Sequence, residues 1–203
     1  MLKASSWSVG YVNADGPFSS KSLSVKAQKK ILSKIANRTV AHHFISDQSA
    51  RLLDNLYKLL KEFYTKKEAE KVVKNIIKMA IKIAVLGHND QFSPADLSIF
   101  SKFQEKLHSI MLSVVSFHQV DFSYDKLYLR KLIGETENLL TNLIASHLTE
   151  KSVQRVHMVF QYLGATEFLD FLFTHGGGGK QISNSMKKLI FDDIGELLTR
   201  GEL

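Results

Sequence analysis

The sequence contains no cysteine among its 203 residues. This absence excludes a disulfide framework, a cysteine-based zinc site and a thiol nucleophile, and it fits a protein of a reducing compartment. Proline is nearly absent too, since only Pro17 and Pro94 occur. Because proline interrupts helices and central strands, its scarcity leaves room for long uninterrupted elements.

The chain also lacks long apolar runs and strand-like alternation. No stretch of about 18 uncharged apolar residues occurs, so no membrane span is expected. The start, "MLKASSWSVGYVNADGPF", has no apolar core of a signal peptide. We therefore expect a cytoplasmic protein with, at most, transient membrane association. No segment shows the period-two pattern of a half-buried strand.

Helical periodicity runs almost without a break from residue 19 to residue 199. Start signals occur at Ser19 or Ser20, at Ser46-Asp47 and at Ser93-Pro94, which are residue types that cap helix N-termini. The short connections favour antiparallel neighbours. The pattern predicts an all-α bundle of six to seven antiparallel helices over residues 18–203, preceded by a disordered tail at 1–17.

One predicted helix, "KVVKNIIKMAIKIAVLGHND" at 71–90, is apolar almost all the way round. Only a narrow row of lysines interrupts it: Lys71, Lys74, Lys78 and Lys82. Such a helix must be covered on two or three sides. Two interpretations stand. It is the central helix of a solid bundle with a solvated lysine stripe, or it borders an internal apolar space that holds acyl chains.

Positive charge is concentrated near the N-terminus. The net charge is +7, and residues 1–46 carry seven Lys or Arg residues against one Asp. The first helix places Lys26, Lys29, Lys30 and Lys34 on one face. Such a face is either simply solvated or docks on an anionic membrane surface. Nucleic acid is less favoured as a partner, because no aromatic residues are interleaved for base stacking.

Catalytic and metal-binding patterns are missing. His42 and His43 are adjacent and point apart, and no H-E-x-x-H motif occurs. The stretch "SFHQVDFSYD" at 116–125 offers neither a strained nucleophile turn nor an oxyanion hole. "GGGGK" at 176–180 lacks the spacing of a phosphate-binding loop. We expect no enzyme, no metal and no cofactor.

Several stretches together resemble the tumour necrosis factor-α-induced protein 8 family, also called the TIPE family. They are "FSSKSLSVKAQKKILSKIANRTVAHHFI" (18–45), "LLDNLYKLLKEF" with "KEAEKVVKNIIKMAIKIAVL" (52–86), and "VVSFHQVDFSYD" (114–125). The resemblance covers about residues 18–203. It implies a helical fold of reverse topology to death-effector domains, with a central apolar cavity open at one end.

The resemblance also implies a phosphoinositide site with its headgroup at a basic mouth. The family's first-helix cations fall on Lys29, Lys30, Lys34 and Arg38, whereas two further arginines of vertebrate members are His88 and Gln104 here. We keep His88 as a headgroup candidate and add Lys102, which is near Gln104 in sequence. The expected cavity lining is Ile31, Ile76, Ile77, Ala80, Ile83, Ala84, Leu107, Met111 and Val114.

The implied function is that of a phosphoinositide-binding, lipid-transferring signalling protein that regulates apoptosis and immune or cell-death signalling. The expected partners are phosphoinositide lipids, a membrane surface, and small-GTPase or death-pathway proteins. The alternative is a protein–protein adaptor of those pathways with a solid core and no lipid cargo. The interior of the bundle distinguishes the two.

Overall fold

The computed structural model describes residues 18–33, 45–120, 122–174 and 184–200. These residues form eight α-helices joined by short connections, and the described ranges contain no strand. The helices are α1 (Ser20–Leu32), α2 (Asp47–Phe63), α3 (Lys66–His88), α4 (Pro94–Gln119), α5 (Lys126–Ala145), α6 (Glu150–Leu163), α7 (Thr166–Phe173) and α8 (Asn184–Arg200). The expected all-α class is confirmed.

Side-chain caps fix where the two longest helices begin. Before α3, the Thr65 hydroxyl accepts from the Glu68 amide, and the Glu68 carboxylate accepts from the Thr65 amide. Ser93 and Asp96 form the same reciprocal capping box before α4, with Pro94 at the first helical position. Each box satisfies amides that the first helical turn leaves without partners.

Six of the helices pack in a closed ring. Following side-by-side contacts, α3 packs on α6, α6 on α5, α5 on α4, α4 on α8, α8 on α2, and α2 on α3. Helix α1 packs on α2 and α3, and α7 packs on α5 and α6. Although α3 and α4 are consecutive in the chain, they make no extended contact and lie on opposite sides of the ring.

An aromatic cluster closes the fold around α7. Phe168 is almost completely buried and lies against Phe63 and Tyr64, which end α2. The Tyr64 hydroxyl donates to the Tyr162 carbonyl at 2.7 Å, which ties this corner to α6. The dense packing extends to Ala69, Val72 and Val73 at the start of α3, each 0% exposed.

Helix α1 is attached by contacts to α2. Phe18 stacks on Tyr57 with ring centroids 3.8 Å apart, and the Ser20 amide donates to Asp54 at 2.7 Å. Ser20 and Ser24 are buried, so their small side chains let α1 approach closely. Leu23, Ala27 and Ile31 pack against the main core.

The starts of α1, α2 and α4 follow the sequence signals. Asp125 caps α5, and the nearby Ser123 hydroxyl donates to the carbonyls of Val120 and Ser116. The predicted tail at 1–17 and the "GGGGK" segment lie outside the described residues.

Candidate functional site

The middle of α3 presents an apolar face that is not fully covered. Ile76, Ala80, Ile83 and Ala84 fall within an arc of about 100° on a helix of 3.6 residues per turn. Ala80 is exposed and the other three are half-buried. Ile77, also expected to line the cavity, is 1% exposed and belongs to the dense core.

Helix α4, on the other side of the ring, has no buried residue along its 26 positions. Its expected lining residues Leu107, Met111 and Val114 are all half-buried. Met111 and Val114 reach the edge of the main core. A 26-residue helix that packs on α5 and α8 yet buries nothing completely is unusual, because the apolar face of a globular helix normally contacts a dense interior.

The lysine row occupies the face of α3 opposite that apolar arc. Lys71 is exposed as expected, but Lys74, Lys78 and Lys82 are half-buried. Lys82 donates to the Ser152 hydroxyl on α6 at 2.7 Å, and Lys74 pairs with Glu70. The lysine row therefore lies partly between α3 and the neighbouring helices α1 and α6 and is not fully solvated.

Of the expected headgroup residues that the structure describes, Lys29 and Lys30 lie together on α1, whereas His88 and Lys102 lie on other helices. Lys29 and Lys30 are exposed in the last turn of α1, whereas Lys34 and Arg38 lie outside the described residues. Lys30 approaches Lys78 in the middle of α3 closely enough to affect its pKa. His88 ends α3, about 15 Å further along at 1.5 Å per residue. Lys102 is exposed on α4, across the ring.

A pocket that the sequence did not indicate lies where α4 ends and α8 begins. It has a volume of about 430 Å³. His118 stacks on Phe191 with centroids 4.1 Å apart, and Phe173 lies beside them. Lys187 also lines the pocket, and burial lowers its pKa. This pocket contains none of the residues that we expected in a functional site.

Two other kinds of site find no support in the described residues. No three His, Asp or Glu side chains cluster there as they would around a metal ion. Among the same residues, no helix combines the length and the apolar character that crossing a bilayer requires.

Comparison with known proteins gives the chain a family. The family model described as "Tumor necrosis factor alpha-induced protein 8-like" matches residues 18–201. The chain belongs to this family. Membership supports a signalling role.

Relatives support the same assignment across nearly the full helical region. Tumor necrosis factor alpha-induced protein 8-like protein 1 of Gallus gallus is 41% identical over 184 residues, covering 87% of this chain and 97% of the relative. Tumor necrosis factor alpha-induced protein 8 of Homo sapiens is 44% identical over 164 residues, covering 80% and 83%. Neither of these relatives is named for an enzymatic activity.

A solved structure shares the fold. The C-terminal region of G-protein interacting protein 1 from Dictyostelium discoideum superposes with a TM-score of 0.59, covering 83% of this chain and 95% of that one. Sequence identity is 14%, so the likeness concerns the arrangement of helices alone.

Sequence reasoning missed Arg155 as a neighbour of the lysine row. The lysine spacing of three and four showed which residues share a face of α3, but not that α6 would bring a further cation against it. A charge count along α6 could have drawn attention to Arg155. Its position next to Lys78 follows only from how the two helices pack.

Proposed function

We propose that this member of the tumour necrosis factor alpha-induced protein 8-like family binds phosphoinositides, with the acyl chains inside the ring, and carries or presents them in cell-death and immune signalling. One observation carries the proposal. Two helices on opposite sides of a closed ring, α3 and α4, each carry apolar residues that are only partly covered. An acyl chain would cover such incompletely buried apolar surface.

The proposed lining consists of half-buried and exposed apolar residues on these two helices. Ile77 is left out because it is packed in the core, and Ile31 because α1 packs against the ring rather than forming part of it. The lining that remains is Ile76, Ala80, Ile83, Ala84, Leu107, Met111 and Val114.

The proposed anion contacts begin on α1. Lys29 and Lys30 are exposed in its last turn, and Lys34 and Arg38 follow in the sequence. Lysines near an anionic bilayer contribute about 1 kcal/mol each, so such a cluster supports reversible, salt-sensitive recruitment. His88 and Lys102 are weaker candidates, because they lie away from this cluster.

Liposome co-sedimentation tests the headgroup contacts. We expect Lys29→Ala/Lys30→Ala/Lys34→Ala to abolish the preference for phosphoinositide-containing vesicles, because it removes three adjacent cations. The matched control is Lys67→Ala/Lys71→Ala/Arg130→Ala, which removes the same charge from exposed positions elsewhere. Equal binding of the first triple variant and the unmodified chain would show that these lysines do not hold the headgroup.

The adaptor alternative is favoured by a separate observation. Val120, Phe122 and Leu127 are exposed at the junction of α4 and α5, and Tyr128 is exposed one residue further on. Exposed apolar patches of this kind are common where proteins bind partners.

Native mass spectrometry of the purified protein distinguishes the lipid-carrier function from the adaptor function. Bound lipid supports the carrier, and a lipid-free protein that still binds a signalling partner supports the adaptor.

A further inference from the structure

Packing of α3 on α6 places two cations opposite each other. Lys82 contacts Ser152 at 2.7 Å, and Asn75 contacts the Met158 sulfur at 3.5 Å. In two antiparallel helices, residues at the same level have numbers with a nearly constant sum, and these two pairs have sums of 234 and 233. The numbers of Lys78 and Arg155 also have a sum of 233. These two side chains therefore leave their helices at the same level, between the two contacting pairs.

The neighbours of Lys78 along the row have side-chain partners, whereas Lys78 has none among the described residues. Lys74 pairs with the Glu70 carboxylate, and Lys82 donates to the Ser152 hydroxyl. Within the described residues, the side chains of Lys78 and Arg155 form no hydrogen bond and no ion pair. Both are half-buried, so they have lost part of their hydration without gaining a counter-charge.

A third cation approaches from α1. Burial lowers the pKa of Lys78, and the charges of Arg155 and Lys30 lower it further. Three helices thus direct positive charge to one point. The segment that follows α1, residues 34–44, contains two cations and two histidines but no acidic residue.

We propose that Lys30, Lys78 and Arg155 form a binding site for a phosphate-bearing polyanion. A phosphate group accepts several charge-assisted hydrogen bonds at once, and a guanidinium group can hold it with two parallel bonds. Binding would replace like-charge repulsion with attraction, which explains why a fold would keep half-buried cations without partners. The same phosphate chemistry occurs in a lipid headgroup at a membrane surface and in a free inositol phosphate.

This site goes beyond the proposed function because of where it lies. The lysine row is on the face of α3 opposite Ile76, Ala80 and Ile83, so it faces away from the interior of the ring. The proposed function assigns its main headgroup contacts to the lysines of the first helix, whereas this site adds Lys78 and Arg155, which the proposed function does not use. Lys30 is the residue that both proposals share.

Isothermal titration with inositol trisphosphate tests the site without any acyl chain. We expect Lys78→Gln and Arg155→Gln each to weaken binding about tenfold or more, since each removes a charge-assisted contact. Lys78→Arg should retain binding because the guanidinium keeps the charge. Lys71→Gln is the matched control, as it removes one exposed charge from the same row and should change affinity about threefold at most.

A second arm identifies the source of the phosphate. Co-sedimentation with phosphatidylcholine vesicles, with and without phosphatidylinositol bisphosphate, is compared for the same variants. If Lys78→Gln and Arg155→Gln lose binding in both assays, the site accepts free and membrane-bound phosphate. If they lose binding to vesicles alone, the site needs the headgroup to be held at a bilayer. Equal binding by Lys78→Gln and Lys71→Gln in both assays would overturn the proposal.

Lost binding by Lys78→Gln can be distinguished from unfolding and from loss of acyl binding. Lys78→Gln relieves repulsion, so we expect its thermal unfolding temperature not to fall below that of the unmodified protein, and lost binding then does not reflect unfolding. The titration also stands apart from acyl binding. A protein without lipid in its interior that still binds inositol trisphosphate through Lys78 would disprove the carrier function and leave this site intact.

Discussion

At the scale of single residues, a buried carboxylate between α2 and α8 is held by side-chain donors from α2. Asp193 is 5% exposed, and it accepts from Arg51 Nε at 2.8 Å and from Asn55 Nδ2 at 2.7 Å. Glu196, one turn further on α8, accepts from the other end of the same guanidinium. A buried carboxylate is stable only when such partners replace its hydration. These contacts close the ring where α8 meets α2.

We expect Asp193→Ala to lower the free energy of unfolding by about 3 kcal/mol, measured by urea denaturation. The substitution removes two hydrogen bonds to a charged group and leaves the Asn55 amide buried without that acceptor. The neighbouring Asp192 is exposed, so Asp192→Ala should change stability by about 0.5 kcal/mol or less. If Asp193→Ala and Asp192→Ala lower the free energy of unfolding equally, the buried hydrogen bonds of Asp193 make no specific contribution to stability.

At the scale of helices, α3 shows how one sequence pattern serves three environments. One face of its first two turns, which includes Ala69 and Val72, is buried in the core. Its middle turns carry the partly covered apolar arc, and its lysine row meets α1 and α6. Helix α4 has an apolar content that would suit a core helix, yet none of its residues is buried. Composition alone did not distinguish these two helices.

The difference in burial between α3 and α4 predicts that a valine-to-alanine substitution lowers the free energy of unfolding by a larger amount in α3 than in α4. Val72→Ala in α3 removes two methyl groups from a position with 0% exposure, so we expect a loss of about 2 kcal/mol. Val114→Ala in α4 removes the same atoms from a half-buried position and should cost about 1 kcal/mol or less. Urea denaturation of the two variants checks this. Equal costs would show that α4 faces a packed interior.

At the scale of the whole molecule, the question is whether the ring is filled. Ala80→Trp places a large side chain on the apolar arc, where Ala80 is exposed, so we expect the unfolding free energy to change by about 1 kcal/mol or less. Ala69→Trp makes the same change at a position with 0% exposure and should destabilise by about 3 kcal/mol or more through overpacking.

The amount of bound lipid is a second, functional measurement for these variants. The indole of Ala80→Trp would occupy space proposed for acyl chains, so native mass spectra should show less bound lipid than for the unmodified protein. If Ala80→Trp unfolds as readily as Ala69→Trp, the interior is solid and the carrier function loses its basis.

The sequence by itself determined the helical class, most helix starts and the family. Capping residues such as Thr65 and Ser93 act within one helical turn, and the lysine row of α3 follows from helical spacing alone, so both can be read locally. The same spacing placed Ile76, Ala80, Ile83 and Ala84 on one face.

Only the tertiary structure decided what those faces meet. Whether an apolar arc faces packed side chains or an open interior depends on helices that are distant in sequence, as does the approach of Lys30 and Arg155 to Lys78. It also moved Ile77 from the expected lining into the core and separated His88 and Lys102 from the lysines of α1. Local propensity acts over one or two turns, whereas burial and charge clustering arise from contacts between distant segments.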